Sequence, residues 1–353
     1  MNEKRLCRSL DACTWFINEA LNVREDSHEV SGFQLVTPLT EAAAYNTYVE
    51  TVSNKADTLY NRCEESLKGM IVYSYLQYIK RISPNASYYK KPVILAFDYT
   101  DEDFYGDVQG LDIHGWKKSS SIAGKFKFLT CSIISDKIPE KIPLISVPIH
   151  KGHYKSSVIL ECLDAIKDII GEIELILFDR GFYDKDLMYE LTKWGYPFLI
   201  FVPKHDDKKS ILYPMEEGEQ VAIYNEYEVN KDKSKYMGKN ILIFLKKIYD
   251  KKSENKYDWV FATNVDWVIL EKLVILYKKR WRIETQFRVQ DEARIKCKSK
   301  RMKIRLFLFL FEQLLQTIWI SFYRDDKCSF KEFLIALSKT SRKWTKADKA
   351  SSK

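Results

Sequence analysis

The order of apolar and polar positions changes character near residue 90. Before that point, apolar residues recur at three- and four-residue spacing around 10–21 and 59–82, with no strand alternation. This is the period of helices that bury one face. Ser83-Pro84-Asn85 then interrupts the pattern. From Pro92 onward, short apolar runs bounded by polar residues predict strands at 93–97, 126–134 and 142–148. A helix at 156–170, a strand at 174–178, a helix at 185–194 and a strand at 197–202 follow. A meander of strands that gives way to alternating helices and strands predicts an α/β fold, a mixed sheet flanked by helices.

Residues 203–257 differ in kind, being lysine-rich with turn residues and short alternating runs at 221–229 and 241–248. They read as a β-rich insertion. A further strand is expected at 259–263, then helices over 269–282 and onward, and over 306–323. The last of these is interrupted by Glu312, Gln313 and Gln316, so it reads as a buried amphipathic helix and not as a membrane span. Beyond Lys339 the chain is basic and rich in small residues, and a frayed tail is expected. The resulting division is a helical region over 1–90, a sheet-forming segment over 91–202, the insertion over 203–257, a return to the sheet over 258–325, and a basic tail over 326–353.

At 353 residues with 46% apolar content, the chain can bury a large core and is not of disordered composition. The net charge of +8 matters only once located. Between Tyr277 and Arg305 there are twelve Lys/Arg against three acids (Glu284, Asp291, Glu292), so this window alone carries +9 and the remainder is nearly neutral. Local positive charge of this kind suits a phosphate-binding surface, the bland reading being a solvated helix face. The seven cysteines are scattered without a CxxC pair, which argues against structural zinc and for free thiols in a reducing interior. No signal peptide is evident, and a soluble, cytoplasmic, nucleoid-associated protein is expected.

Acids stand where two of the apolar runs stop. Val93–Phe97 ends in Asp98, and 175–178 ends in Asp179, followed by Arg180-Gly181-Phe182. Either acid alone would more commonly cap a helix or serve a turn. Glu284 lies in the basic window, and at about 100° per residue a helix there places Tyr277, Arg280, Glu284 and Arg288 on one face. The plainer reading of that face is a surface ion pair between Arg280 and Glu284, four residues apart. If the three carboxylates meet, they repel one another unless cations lie between them, and oxygen ligands favour Mg²⁺ or Mn²⁺. An acidic metal centre beside concentrated lysine and arginine points to chemistry on nucleic acid.

The segment Tyr277-x2-Arg280-x3-Glu284 resembles the tyrosine–arginine–glutamate–lysine signature of the DDE transposases of bacterial and archaeal insertion sequences. Asp179-Arg180-Gly181-Phe182 looks like their second-aspartate motif, and Phe97-Asp98-Tyr99-Thr100-Asp101 like their first. The resemblance covers about residues 90 to 325 and implies an RNase H-like core built from 91–202 and 258–325, with DNA recognition in 1–90. By that similarity Asp98, Asp179 and Glu284 would bind two Mg²⁺ ions, with Mn²⁺ a substitute, and cut and join DNA at element ends and target. Tyr277 and Arg280 would hold DNA phosphates, with Arg288, Arg282 and Lys296 as further DNA contacts, and a homodimer on the DNA is expected. The signature lysine falls at Asp291, so its role is lost or passes to Arg288, Arg294 or Lys296.

The same residues admit other readings: a nuclease that cuts without joining, an inactive DNA-binding descendant, and a two-carboxylate glycosidase, which leaves the localised charge unexplained. Trp194, Trp267 and Trp281 could stack on bases, but core packing is the commoner fate of such residues. His114-Gly115-Trp116 and His150-x2-His153 are read as hydrogen-bonding groups in preference to metal ligands. No GxxxxGK[ST] occurs, so no nucleotide cofactor is expected. Residues 51–68 are the expected second helix of a helix-turn-helix.

Overall fold

The computed structural model describes residues 2–351 except 24–30, 84–88, 109, 116–120, 135–140, 203–220, 230–237, 250–255 and 266–269. The N-terminal helices are α1 (Glu3–Leu21), α2 (Gly32–Tyr45), α3 (Val49–Val52), α4 (Ala56–Glu65) and α5 (Lys68–Ile82). The sheet strands that follow are β1 (Val93–Phe104), β2 (His114–Gly115), β3 (Gly124–Ile133) and β4 (Ile142–Ile149). Then come α6 (Lys155–Ile166), β5 (Ile173–Phe178), α7 (Lys185–Lys193) and β6 (Phe198–Phe201). The chain continues through β7 (Val221–Val229), β8 (Gly238–Tyr249), β9 (Lys256–Thr263), α8 (Leu270–Lys278), α9 (Trp281–Gln290), α10 (Met302–Phe322) and α11 (Phe330–Ser351).

Among the described residues the strands form one nine-stranded sheet ordered β2-β3-β1-β5-β6-β9-β8-β7, with β4 also on β3. Only β1–β5 and β5–β6 are parallel. This is the mixed sheet flanked by helices that the apolar pattern predicts. The segment read as an insertion contributes β7 and β8, which continue the same sheet through β9.

Alternation sorts the central strands into two faces. Ile94, Ala96, Leu175, Leu177 and Leu199 point to one side, where Val274, Tyr277 and Ile283 of the α8–α9 region cover them. Leu95, Phe97, Ile176, Phe178 and Ile200 point to the other and join a core that runs from Leu6 to Leu337. The N-terminal helices share that core. They pack around α10, which is buried on nearly every side, as an all-round apolar helix must be. By length and composition α10 could cross a membrane, but 89% of the relevant window lies inside the fold.

Three expectations need correction. The tail beyond Lys339 is not frayed: α11, which carries an apolar stripe of Phe330, Phe333, Leu334 and Leu337, continues helical past that point. It docks on α2, with Thr37 bonded to Ser341 and Thr345, Arg342 paired with Glu41, and Phe33 against Trp344. Residues 51–68 are not one helix, because the chain is extended at Ser53 and again at Ser66-Leu67. Trp194 and Trp281 are not core residues but stand 63% and 48% exposed; Trp267 and Trp116 lie outside the described residues.

Candidate active site

Asp98 does not end its strand as the apolar run suggests. The parallel pairing of β1 with β5 stops at Phe97 opposite Phe178, while β1 continues for seven more residues along β3, to Phe104. Asp98 and Asp179 are thus the next residues on two adjacent parallel strands. They share the parity of Ala96 and Leu177, so both face the side that α8 and α9 cover. One strand is held by its antiparallel neighbour, and the other turns into a short 3₁₀ segment at Arg180–Phe182. The stacked pairs Phe97–Phe178 and Tyr99–Phe182, 5.4 and 4.6 Å between centroids, fix the two strand ends from the far side.

Glu284 arrives on α9. The single continuous helix expected over this stretch is interrupted: α8 ends at Lys278, α9 begins at Trp281, and the joint is tightened by bonds from Arg280 N to Tyr277 O and from Arg282 N to Lys279 O, at 2.9 Å each. Tyr277, Arg280 and Glu284 nonetheless converge. Glutamines on the inner side of α9 hold it in place. Gln286 bonds to Ser132, Gln290 and Gln316, and Gln290 to Gln313, which in turn accepts from Ser146. The sequence reading passed over these glutamines, although their four-residue spacing beside Glu284 was visible.

Arg280 is the centre of the site. Its Nη1 lies 3.0 Å from Asp98 Oδ2, and its Nη2 lies 3.0 Å from Glu284 Oε1 and 3.8 Å from Asp179 Oδ1. The Tyr277 hydroxyl donates to Asp179 Oδ1 at 3.1 Å. Three carboxylates around one guanidinium leave two negative charges uncompensated. Burial is the main influence on Asp98, pushing its carboxyl up to about 6 against the lowering effect of Arg280 and the Tyr99 N–H. Burial works against the charge of Arg280 too, but Tyr277 and the three acids hold its pKa above the ordinary value. Burial likewise raises that of Tyr277. The Arg280 Nε has no hydrogen-bond partner although buried, a cost that a purely structural residue would not be expected to carry.

The remaining candidates lie outside this cluster. Arg282 donates to the Ile134 carbonyl at 3.1 Å, Arg288 is exposed with its Nη2 on Thr285, and Lys296 is exposed on an extended segment beyond α9. Asp291 ends α9 and pairs with Arg294 at 3.7 Å. His150 sits against Asp112 and Lys68, and His114 against the Ile149 carbonyl.

Residues 142–316 match the transposase DDE domain. The matched stretch holds Asp179, Tyr277, Arg280 and Glu284, while Asp98 precedes it. The chain is also similar in fold to the piggyBac transposase solved as a synaptic complex with hairpin DNA, with a TM-score of 0.61 at 11% identity, covering 96% of this chain and 79% of that one. No curated protein matches the sequence. The family match thus concerns the stretch 142–316, and the likeness to the solved structure concerns the fold.

The donor set suits a hard divalent cation: all oxygens, all carboxylate, with net negative charge. As they stand, no three acidic, histidine or cysteine side chains among the described residues are arranged to enclose an ion. The guanidinium of Arg280 fills that electrostatic role. Glu284, whose side chain is 54% exposed, is the carboxylate with most room to reorient.

Proposed function

We propose that this chain cleaves DNA at the ends of a mobile element and joins the freed ends to target DNA, with Asp98, Asp179 and Glu284 as the catalytic carboxylates. The observation that carries this reading is their convergence, from two parallel strands and a separate helix, on the single buried Arg280. The carboxylates would hold two Mg²⁺ ions, with Mn²⁺ as a substitute. Bound there, such ions supply Lewis-acid stabilisation of an attacking and a leaving oxygen. The protein's own contribution is positional. The sheet fixes two acids, the glutamine-held α9 fixes the third, and Tyr277 orients Asp179 through its hydroxyl. Arg280, once its carboxylates are otherwise compensated, has a guanidinium fork suited to a DNA phosphate. Exposed Trp281, next in the chain, offers a face on which a base can stack. A homodimer that brings two DNA ends together completes the proposal.

The test uses purified protein, Mg²⁺ and DNA carrying the sequences that flank the gene. Cleaved and joined products are expected, and Asp179→Asn or Glu284→Gln should each lower their formation by at least about a thousandfold, equivalent to about 4 kcal/mol of transition-state stabilisation. Unchanged products with either variant would remove these residues from the chemistry.

A further inference from the structure

Beyond α9 and a 3₁₀ turn at Asp291–Ala293 the chain has no helix or strand until α10, yet its backbone is tied at several points. From Arg294 to Lys300, exposure alternates residue by residue: Arg294, Lys296, Lys298 and Lys300 face solvent, while Ile295, Cys297 and Ser299 turn inward. The segment is extended where it begins at Arg294 and where it meets α10 at Arg301. Two buried ionisable residues of α10 hold it. Glu312 accepts from Ile295 N at 2.7 Å, and Arg305 donates to the carbonyls of Ser299 at 2.7 Å and Cys297 at 3.1 Å. From the N-terminal region, Thr47 O accepts from Lys296 N at 3.0 Å, and Asn46 donates to the carbonyls of Asp291, Glu292 and Arg294. The Tyr48 ring lies under the ammonium groups of Lys296 and Lys298, at 6.0 and 4.7 Å.

Four cations on alternate residues of an extended chain stand about 6.6 Å apart. That is close to the step between successive phosphates on a nucleic-acid strand. A solvated basic face needs no such backbone restraint, and a flexible basic tail has none. Here buried side chains of α10, together with loop residues of the helical region, fix the register of the exposed ones. We infer that residues 294–300 are a preformed phosphate comb, which seats one DNA strand on leaving the Asp98–Asp179–Glu284 site. The comb begins about 15 Å along the chain axis from Glu284, counting helical and 3₁₀ rise. It supplies the positive charge that Asp291 withholds at the end of α9. Arg305 and Glu312 act as positioning residues. The inference rests on the DNA-processing reading above.

The test is equilibrium binding of the full chain to a random-sequence duplex in chelator, where cleavage cannot occur, across a salt series. Each comb lysine neutralised should reduce the slope of log K against log salt by about 0.9 on duplex and about 0.7 on single-stranded DNA. Lys296→Gln with Lys298→Gln should therefore remove about 1.8 on duplex. The exposed pair Lys167→Gln with Lys193→Gln serves as the equal-charge control and should leave the slope unchanged. Both lysines of the comb pair are solvent-facing, and an unaltered unfolding midpoint confirms that the fold is kept. Binding with an undiminished slope, or an equal loss in the control, overturns the comb while leaving the DNA reading intact. Absence of any DNA binding by the unaltered protein overturns both.

Discussion

Arg280 and Arg305 are equally hidden, at 5% and 4% exposure, and their surroundings could hardly differ more. Arg305 uses every edge of its guanidinium: Nη1 on Glu102 at 2.9 Å, Nε and Nη2 on two backbone carbonyls, and one face over the Phe126 ring at 4.4 Å. Arg280 faces three carboxylates at once and leaves its Nε without a partner. A satisfied buried charge fixes structure, whereas an over-subscribed one holds together groups that repel one another when it leaves. Sites that break local rules without a stabilising return are where function is found. Arg305 marks the comb, and Arg280 the cluster of carboxylates.

The largest effect expected from this contrast is on stability. Arg305→Met strands Glu102 in a mostly buried position and frees two carbonyls, so it should cost about 3 kcal/mol or more in urea unfolding. Arg280→Met leaves Asp179 and Glu284 partly open to water, while Asp98, as buried as Glu102, can take up a proton more readily once the lowering effect of Arg280 is gone. This change should cost about 1 kcal/mol or less. The two should also respond differently to Mg²⁺. The Arg280 variant, with its acids uncompensated, should gain in unfolding midpoint more than the parent, whereas the Arg305 variant should not. Equal costs for the two would dissolve the distinction.

A second prediction isolates Asp98. Its folded pKa is raised from 3.8 to about 6, so its contribution to stability is fully present below about pH 3.8 and lost as the pH rises through about 6. Removing the charge should therefore stabilise the fold at neutral pH. Asp98→Asn is expected to add about 1–3 kcal/mol at pH 7.5 in chelator, with the gain shrinking to nearly nothing by pH 4. A destabilised variant at pH 7.5 would mean that the Arg280 pair outweighs the burial of the carboxylate. The same variant should lose cleavage, which would place Asp98 among residues kept at a cost to stability.

Much of this arrangement was legible from the chain alone, and the failures have identifiable causes. The two aspartates could be found because buried parallel strands read as continuous apolar runs, and the residue that ends the run marks the strand end. The rule erred by six residues for Asp98, since β1 continues as an antiparallel partner of β3 where its residues are polar and only half-buried. Glu284 was legible because helical spacing brings Tyr277 and Arg280 beside it. The break at 279–280 was not, as no proline or glycine marks it and backbone bonds tighten the joint. Docking of α11 was obscured by the lysines on its outer face. The comb was invisible for a different reason: its cations look like any basic run, and the residues that pin it lie up to 250 positions away or inside an apolar helix.

The smallest effect concerns Glu312, and a near-null result there is informative. It is 4% exposed on α10, and burial raises its pKa well above the ordinary carboxyl value, which favours the neutral form of the side chain. Its main structural task is then to accept the Ile295 N–H at 2.7 Å, which a carboxamide oxygen performs equally well, while the bond from Gln290 Nε2 at 3.5 Å is the weaker one to lose. Glu312→Gln should change the unfolding free energy by no more than about 0.5 kcal/mol and leave the salt dependence of DNA binding as it was. Glu312→Leu removes the acceptor while keeping similar bulk, and should cost about 1–3 kcal/mol through the orphaned N–H. It should also weaken DNA binding, because the comb loses its first anchor. A glutamine variant as damaging as the leucine one would show instead that Glu312 is ionised in the fold. The entrance to the comb would then be held by charge, through nearby Arg294, and not by a neutral hydrogen bond.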